Sequence, residues 1–327
     1  MNMKSTAKAH PNIALIKYWG NLDSGLNLPL NGSISMIMGG ASTTTTIEFA
    51  KEHGDEAELN GERLEGEAGE RVGAFVSMIR RRAGCDLGFK MVSENDFPAA
   101  AGLASSAGGF AALTVAACDA LGLEPGEREL SILARRGSGS ACRSIPSGFV
   151  EWHCAENDEG SWAETLAPAG HLDMRDIVAV TDTAKKAVPS KSGHGAAAGS
   201  PFMEARLAEV KKSLKDMRAA ILAKDVEAIG RIAEQDCLSM HAVAMTGRPP
   251  VLYWSPATIR VMDAVLRWRA GGLACWFTID AGPNVHVLCM ADDEKQVAER
   301  LNGMDEVKHT IVTGPAAGAG PAEDHLF

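Results

Sequence analysis

The strongest local signal in this 327-residue chain is the stretch PAAAGLASSAG, residues 98–108. It follows an apolar β-type run at 89–93 and leads into residues 108–121, which have the composition of a buried helix. A loop of small residues between a strand and a helix presents free backbone N–H groups and the positive helix end to an anion. Ser105 and Ser106 add hydroxyls that can bind phosphate or Mg²⁺. The stretch therefore predicts either a phosphate-binding loop or a small-residue helix packed tightly on a sheet.

Length and composition favour one large or two medium globular domains. Apolar residues make up 46% of the chain and charged residues 23%, which argues against a disordered or fibrous protein. The net charge of −10 argues against a general nucleic-acid or membrane-surface binder. The uncharged run 97–118 is too rich in Ala, Gly and Ser for a membrane span, and the first ten residues lack the apolar core of a signal peptide. Seven scattered cysteines indicate reduced thiols and a cytoplasmic protein.

Hydrophobic periodicity predicts strands and helices in both halves of the chain. Strands are predicted at 5–17, 43–49, 89–93, 177–181, 274–279 and 285–290. Helices are predicted at 68–83, 108–121, 127–136, 201–224, 226–236, 257–270 and 291–301. This mixture predicts the α+β class. The polar stretch 156–176 is the predicted boundary, with an N-terminal domain at 1–172 and a C-terminal domain at 173–327.

Three further segments and one carboxylate could carry chemistry. Lys17 ends an apolar strand near an aromatic pair, which suggests a pocket, although a lysine that extends into water fits equally well. Residues 135–144, RRGSGSACRS, combine three arginines with Gly and Ser, and predict a second anion site or a solvated helix end. Residues 185–192, KKAVPSKS, add three lysines. Asp280 stands where an apolar strand meets a Gly-Pro turn, a position at which Asp often serves only the turn.

Taken in order, these segments resemble the mevalonate diphosphate decarboxylases, which belong to the GHMP kinase superfamily. The matching segments are NIALIKYWG at 12–20, NGSIS at 31–35, the loop at 98–106, RRGSGSACRS at 135–144 and DAGPN at 280–284. The resemblance implies the GHMP kinase fold, with an N-terminal ribosomal-S5-like domain and a C-terminal GHMP domain. It also implies a cleft between them in which ATP and a phosphorylated mevalonate meet, together with Mg²⁺ and a homodimeric assembly.

The resemblance also implies a role for each matching residue. Asp280 would act at the 3-hydroxyl as base or orienter, with Lys17 and Asn12 beside it, and Arg143 would hold the substrate carboxylate. The rest of the substrate would contact Tyr18, Asn21, Ser140, Ser190 and Lys191. The nucleotide would contact Ser93, Asn95, Gly102, Leu103, Ala104, Ser105, Ser106, Ala107 and Gly108. Ser105 and Ser106 would also lie near Mg²⁺.

Two departures from the family pattern concern the tail phosphate. The family usually has Tyr-Trp-Gly-Lys-Arg/Lys-Asp, whereas this chain has YWGNLD at 18–23. The family segment Val-Ser-Ser-Arg-x-Gly-Met appears as VPSKSGH at 188–194, so that Lys191 replaces an Arg. Losing cations weakens binding of the more highly charged tail most, because each charge-assisted contact is strong. The departures therefore predict a phosphomevalonate decarboxylase that makes isopentenyl phosphate.

Three alternatives accompany this prediction. The first is the diphosphate substrate, which would give isopentenyl diphosphate. The second is a mevalonate-type small-molecule kinase without decarboxylation, against which Asp280 argues, since kinases that only phosphorylate mevalonate lack that residue. The third is a binding module that kept the fold and lost catalysis, against which the joint presence of Lys17, Arg143 and Asp280 argues.

Overall fold

The computed structural model of the chain describes residues 3–97, 105–182 and 190–327. Strands β1 to β16 are, in order, Lys4–Ala9, Asn12–Ile16, Asn21–Asp23, Leu28–Pro29, Ser33–Ile37, Thr43–Ala50, Glu56–Leu59, Glu62–Arg63, Gly88–Asn95, Phe149–Trp152, Ala163–Ala167, Met174–Val180, Cys275–Thr278, Val285–Met290, His309–Thr313 and Gly320–Pro321. Helices α1 to α8 are Gly66–Ala83, Ser105–Ala120, Glu127–Gly137, Ser190–Ala197, Met203–Ala223, Val226–Thr246, Pro256–Ala270 and Glu294–Asn302. The predicted α+β class is confirmed.

The first sheet has the strand order β16-β1-β6-β9-β7-β8. Helices α1, α2 and α3 cover one face of it, because alternate side chains of its strands are apolar. Ile47 and Phe49 of β6 lie opposite Met91 and Phe89 of β9, and all four belong to the apolar core shared with α1 and α2. Strand β16, near the end of the chain, pairs with β1 near its start.

Two further sheets are joined through a pair of long helices. The second sheet has the order β11-β10-β5-β2, and the third has the order β13-β14-β12-β15. Helices α5 and α6 supply Val210, Met217 and Ile229 to one apolar cluster, which also contains Ile34 of β5 and Val178 of β12. This shared core holds the strands that carry the site in a fixed relation to one another. In the described ranges no helix combines the length and apolarity needed to cross a membrane.

The predicted strand at 5–17 is in fact two strands in different sheets. Strand β1 ends at Ala9 and β2 begins at Asn12, with Pro11 between them. Proline has no N–H to contribute to a ladder, and it is therefore rare inside paired strands. The correction matters for function, because it makes Asn12 the first residue of β2 and places Lys17 directly after its last.

Helix bounds differ from the predictions at two functional positions. Helix α2 begins at Ser105 rather than at 108, so that part of the predicted loop is the first helical turn. Helix α6 continues to Thr246 rather than ending at 236, which leaves Asp236 inside the helix. The other predicted helices are confirmed within a few residues. The predicted turn at 280–284 lies between β13 and β14, as expected.

Candidate active site

An ion pair between Lys17 and Asp280 lies where β2 and β13 end. The Lys17 ammonium donates a hydrogen bond to Asp280 Oδ1 at 2.6 Å and another to the carbonyl of Ala14 at 2.8 Å. The Lys17 side chain is 3% exposed, whereas that of Asp280 is 29% exposed. The pair is therefore sealed on its cationic side and open on its anionic side.

The Asp280 carboxyl is ionised at neutral pH. Burial is the largest single influence and would raise its pKa, but the charge and hydrogen bond of Lys17 and the charges of neighbouring groups together outweigh it. His286 and Arg143 act in the same direction as Lys17, and the pKa lies below its ordinary value. Asp280 thus presents a negatively charged hydrogen-bond acceptor to whatever lies against its open side.

A second polar pair, Asn12 and Arg143, joins β2 to the 3₁₀ turn Gly139–Ser144. Arg143 Nε donates to Asn12 Oδ1 at 3.0 Å, and Arg143 Nη1 donates to Ser33 Oγ at 2.7 Å. Asn12 Nδ2 donates in turn to Ser144 Oγ at 2.8 Å and to the carbonyl of Ser140 at 3.2 Å. Within the described ranges, Arg143 Nη2 has no acceptor. One end of a buried guanidinium is thus available for an anion such as a carboxylate.

Tyr18 and Asn21 form the next part of the site. The Tyr18 hydroxyl donates to Asn21 Oδ1, which turns the amide Nδ2 group of Asn21 away from Tyr18. The Tyr18 ring meets Trp152 edge-on at 4.7 Å and lies 4.2 Å from the ring of His194. Burial raises the pKa of Tyr18, although Arg143 acts against it, so the residue remains a neutral phenol.

The predicted nucleotide residues that can be placed lie around the first turn of α2. Ser93 Oγ bonds Thr45 Oγ1 at 2.9 Å, and Asn95 Oδ1 accepts from Thr43 Oγ1 at 2.6 Å. Both pairs are on the sheet face that carries α2, since a Cβ at Gly108 would lie 3.1 Å from the Thr43 hydroxyl. The structure therefore brings Ser93 and Asn95 together with the start of α2.

The loop itself is only partly described. Gly102, Leu103 and Ala104 lie outside the described residues, and Ser105 is the first residue of α2. Ser106 is exposed, with its hydroxyl 3.5 Å from that of Ser138. Ala107 and Gly108 are buried. Any contact that these two make with a ligand would therefore be through the backbone.

Comparison with known proteins bears on the whole of this arrangement. A family model described as the diphosphomevalonate decarboxylase-like N-terminal domain matches residues 9–163. A second, the mevalonate 5-diphosphate decarboxylase C-terminal domain, matches residues 176–316. Diphosphomevalonate decarboxylase of Aspergillus fumigatus is 38% identical over 325 residues, covering 92% of this chain and 80% of that protein. This chain belongs to the mevalonate diphosphate decarboxylase family.

Other members of the decarboxylase family agree in sequence and structure. Phosphomevalonate decarboxylase of Haloferax volcanii is 35% identical over 301 residues, covering 91% of this chain and 92% of that protein. The mevalonate diphosphate decarboxylase structure from Staphylococcus aureus has a TM-score of 0.92 at 37% identity, with 98% of each chain covered. A structure in complex with MVAPP, AMPPCP and magnesium has a TM-score of 0.92 at 37% identity, covering 98% of this chain and 99% of that one.

Two of the three arginines at 135–143 do not form the expected anion site of this decarboxylase. Arg135 is fully buried and donates to the carbonyls of Ser161 and Asp158, both at 2.9 Å. Arg135 and Arg136 both pair with the Asp158 carboxylate. They anchor the loop around Asp158 to α3. Arg135 fits neither alternative, an anion site or a solvated helix end, whereas Arg136 lies in the last turn of α3 with its side chain 33% exposed.

Helix α4 carries the remaining predicted substrate residues. Ser190 is its first residue and Lys191 its second, whereas Lys185 and Lys186 lie outside the described residues. The contact between His194 and Tyr18 places α4 beside the Tyr18–Asn21 pair. In the sequence, His194 stands where the family pattern has Met, and no role was assigned to it.

Sequence reasoning missed two residues that hold Lys17 in place. The Lys17 N–H donates to Asp236 Oδ2 at 2.6 Å, and Arg206 Nη2 donates to the Lys17 carbonyl at 3.0 Å. Arg206 and Asp236 pair with each other at 3.2 Å, with side chains only 1% and 3% exposed. A sequence signal existed, because Arg206 lies one turn before Val210 on the apolar stripe of α5, where a charge requires a buried partner.

Gly108 packs so closely on the sheet that a larger side chain there should destabilise the fold, whether or not its backbone also contacts the nucleotide. Besides the Thr43 hydroxyl, a Cβ would lie 3.4 Å from Pro11 N. We expect Gly108→Val to lower the free energy of unfolding by about 1–3 kcal/mol, the usual cost of overpacking, measured by urea denaturation. Gly109→Ala is the matched control, since its Cβ would meet nothing within 4 Å, and it should stabilise the helix by up to about 1 kcal/mol. A stable Gly108→Val protein with only a raised KM for ATP would contradict this packing prediction and support a nucleotide contact at Gly108.

Proposed function

We propose that this decarboxylase converts 5-phosphomevalonate and ATP to isopentenyl phosphate, ADP, phosphate and CO₂. The observation that carries the proposal is the Lys17–Asp280 pair beside the Asn12–Arg143 pair. An ionised acceptor with an open side suits a hydroxyl, and a free guanidinium end suits a carboxylate. The relatives of this chain supply the substrate class, because they include both diphosphomevalonate and phosphomevalonate decarboxylases.

The proposed reaction makes the tertiary hydroxyl into a leaving group. Asp280 accepts the hydrogen bond of the 3-hydroxyl and takes its proton as the oxygen attacks the γ-phosphorus of ATP, from which ADP leaves. The C3–O bond then breaks with phosphate as the leaving group. The electron pair of the bond between C2 and the carboxylate carbon becomes the new C=C bond, and CO₂ leaves. Arg143 orients the carboxylate, and Lys17 keeps Asp280 ionised and aligned.

The described residues suit ATP together with a Mg²⁺ ion that is held mainly by the phosphates and by few protein ligands. No three His, Cys, Asp or Glu side chains cluster as a metal site in the described part of the chain, and Asp280 Oδ1 is already bonded to Lys17. Mg²⁺ is commonly held by substrate phosphates with few protein ligands. The exposed Ser106 hydroxyl at the α2 N-terminus fits that arrangement, and Ser105 adjoins it. When bound, Mg²⁺ would neutralise phosphate charge during transfer.

The proposed preference for the monophosphate rests on the residues at the tail end of the site. Asn21 is neutral, and its Oδ1 is occupied by Tyr18, so it can offer only amide N–H donors to an anion. Leu22 is apolar and 50% exposed. A diphosphate brings more negative charge than a monophosphate, and it loses more stabilisation when two cations of the family pattern are replaced by neutral residues. Relatives are named for both substrates, most of them for the diphosphate and the one from Haloferax volcanii for the monophosphate, so the preference rests on these residues and is decided by kinetics.

We expect kcat/KM to be higher for 5-phosphomevalonate than for the diphosphate under identical Mg²⁺ and salt. ADP and CO₂ should be released in equal amounts, whereas ADP without CO₂ would indicate a kinase. Asn21→Lys should shift the ratio of kcat/KM values toward the diphosphate by about tenfold or more, as a charge-assisted contact predicts. Ser24→Lys is the matched control, since it adds the same charge at an exposed position of the same hairpin. A wild-type preference for the diphosphate would refute the proposal.

We further propose that the protein is a cytoplasmic homodimer. Leu252, Ile259 and Leu266 are 75%, 54% and 43% exposed, and the last two are two turns apart on α7, so an apolar strip is available for a second copy. All seven cysteines are unpaired, in keeping with a reducing compartment. Sedimentation equilibrium should give twice the 34.4 kDa chain mass, and a monomer at micromolar concentration would contradict the dimer. Cell fractionation tests the location.

A further inference from the structure

Helix α4 holds the ring of His194 against the tail end of the site. The ring centroid lies 4.2 Å from that of Tyr18 and 4.6 Å from that of Trp19. The preceding residue, Gly193, fits between the side chains of Trp19 and Tyr253. A Cβ at Gly193 would lie 2.3 Å from the Tyr253 hydroxyl and 2.7 Å from the Trp19 ring. The helix is thus docked closely enough to fix where the imidazole lies.

The hydrogen bond from Gly20 determines which nitrogen of His194 carries the proton. The Gly20 N–H donates to His194 Nδ1 at 3.0 Å, so Nδ1 must present a lone pair. Burial lowers the pKa of His194 to about 3, with the Arg143 charge adding to the effect, and the imidazole is therefore neutral. Its proton is on Nε2. In the part of the chain that the structure describes, no acceptor binds Nε2, and the residue is not fully covered.

We infer that His194 is a substrate-binding residue that donates its Nε2–H to the tail phosphate. This inference rests on the proposed function, because it requires a phosphorylated mevalonate as substrate. The ring lies against Tyr18, whose hydroxyl holds Asn21, so the imidazole and the Asn21 amide are neighbouring neutral donors. Neutral N–H groups can satisfy phosphate oxygens without adding positive charge, which suits a singly phosphorylated tail better than a doubly phosphorylated one.

Two amide substitutions, each of which replaces one ring nitrogen of His194, separate the donor function of Nε2 from the acceptor function of Nδ1. In His194→Asn the amide oxygen replaces Nδ1 as the acceptor for Gly20, and nothing replaces Nε2. In His194→Gln the amide nitrogen reaches the position of Nε2. We expect His194→Asn to raise KM for 5-phosphomevalonate about tenfold or more, with kcat and KM for ATP within about twofold of wild type. His194→Gln should restore most of the loss.

Direct binding of 5-phosphomevalonate, measured by calorimetry without nucleotide, should show the same order of affinities. A structural role would instead lower thermal stability and kcat in both variants while leaving KM and the affinity unchanged, and this result would overturn the inference. The proposed function is tested separately by the wild-type preference between substrates. If the wild type prefers the diphosphate, the proposed monophosphate function fails. An increase in KM for the diphosphate in His194→Asn would then still support His194 as a hydrogen-bond donor to the tail phosphate.

Discussion

Asp280→Asn should lower kcat by about 10²–10⁴-fold, the contribution expected of a positioned acid or base. The substitution keeps the shape of the side chain and its ability to accept from the Lys17 ammonium, now 2.6 Å away. It removes the negative charge and the proton-accepting oxygen on the open side of the pair. Because Asp280 is 29% exposed, the stability loss should stay near 1–2 kcal/mol, the cost of weakening one charged hydrogen bond. Release of ADP and CO₂ measures the effect.

Two controls make the Asp280 result specific. Asp292→Asn makes the same chemical change at an exposed position, and it should leave kcat unchanged. Combining Asp280→Asn with Lys17→Met should cost little more than the larger single effect, since the two residues act as one unit. Near-normal turnover in Asp280→Asn would remove Asp280 from the reaction. Additive losses in the double variant would separate the functions of the two residues.

Local patterns predicted most helices and the α+β class, because helical periodicity and strand composition act over a few residues. They failed at two strands. Pro11 is a strand breaker inside the predicted 5–17 strand, and the prediction gave it too little weight. Strand β5, SISMI at Ser33–Ile37, is buried along its whole length, so it lacks the alternation that identifies a half-exposed strand. Buried strands of this kind cannot be separated from loops by periodicity alone.

The predicted domain boundary near 172 stays a prediction. Strands β12 to β15 form a sheet drawn entirely from the second half of the chain, in keeping with it. Strand β16, however, pairs with β1, where Ala7 lies opposite Pro321. A domain boundary at one sequence position cannot describe this arrangement, because a strand from the end of the chain belongs to the first sheet. Periodicity provides no information about which distant strand a two-residue segment will join.

Some residues of the site could be predicted from the sequence and others could not, because only some of them belong to a recognisable motif. Lys17 and Asp280 are 263 positions apart in the chain, and only the ordered set of segments that resembles the family placed them together. The supporting residues have no such short motif. Ser33 and Ser144 are common residues whose importance appears only when their hydroxyls bond Arg143 and Asn12. Arg206 lies on the apolar stripe of α5, so helical spacing could have identified it as a buried charge, but not its partner Asp236.

The buried Arg206–Asp236 pair should be the most sensitive support of the site. Arg206→Met would leave the Asp236 carboxylate in the core with the Lys17 N–H as its remaining charge-stabilising donor. Removing one member of a buried ion pair typically costs about 3–5 kcal/mol, and we expect a loss of that size in the free energy of unfolding. Urea denaturation measures it, with the midpoint and the slope analysed separately.

A second ion pair between α6 and a neighbouring helix, α7, provides the matched control. Arg269 and Glu234 pair at 2.8 Å, but their side chains are 29% and 13% exposed, so Arg269→Met should cost less than Arg206→Met. Equal losses would show that burial of Arg206 adds nothing. Arg206→Met combined with Asp236→Asn should recover part of the stability, because no unpaired charge remains in the core. The double variant should not recover the kcat of the wild type, because the Lys17 carbonyl would still lack its Arg206 donor. The Lys17 ammonium, which aligns Asp280, would therefore be less firmly placed.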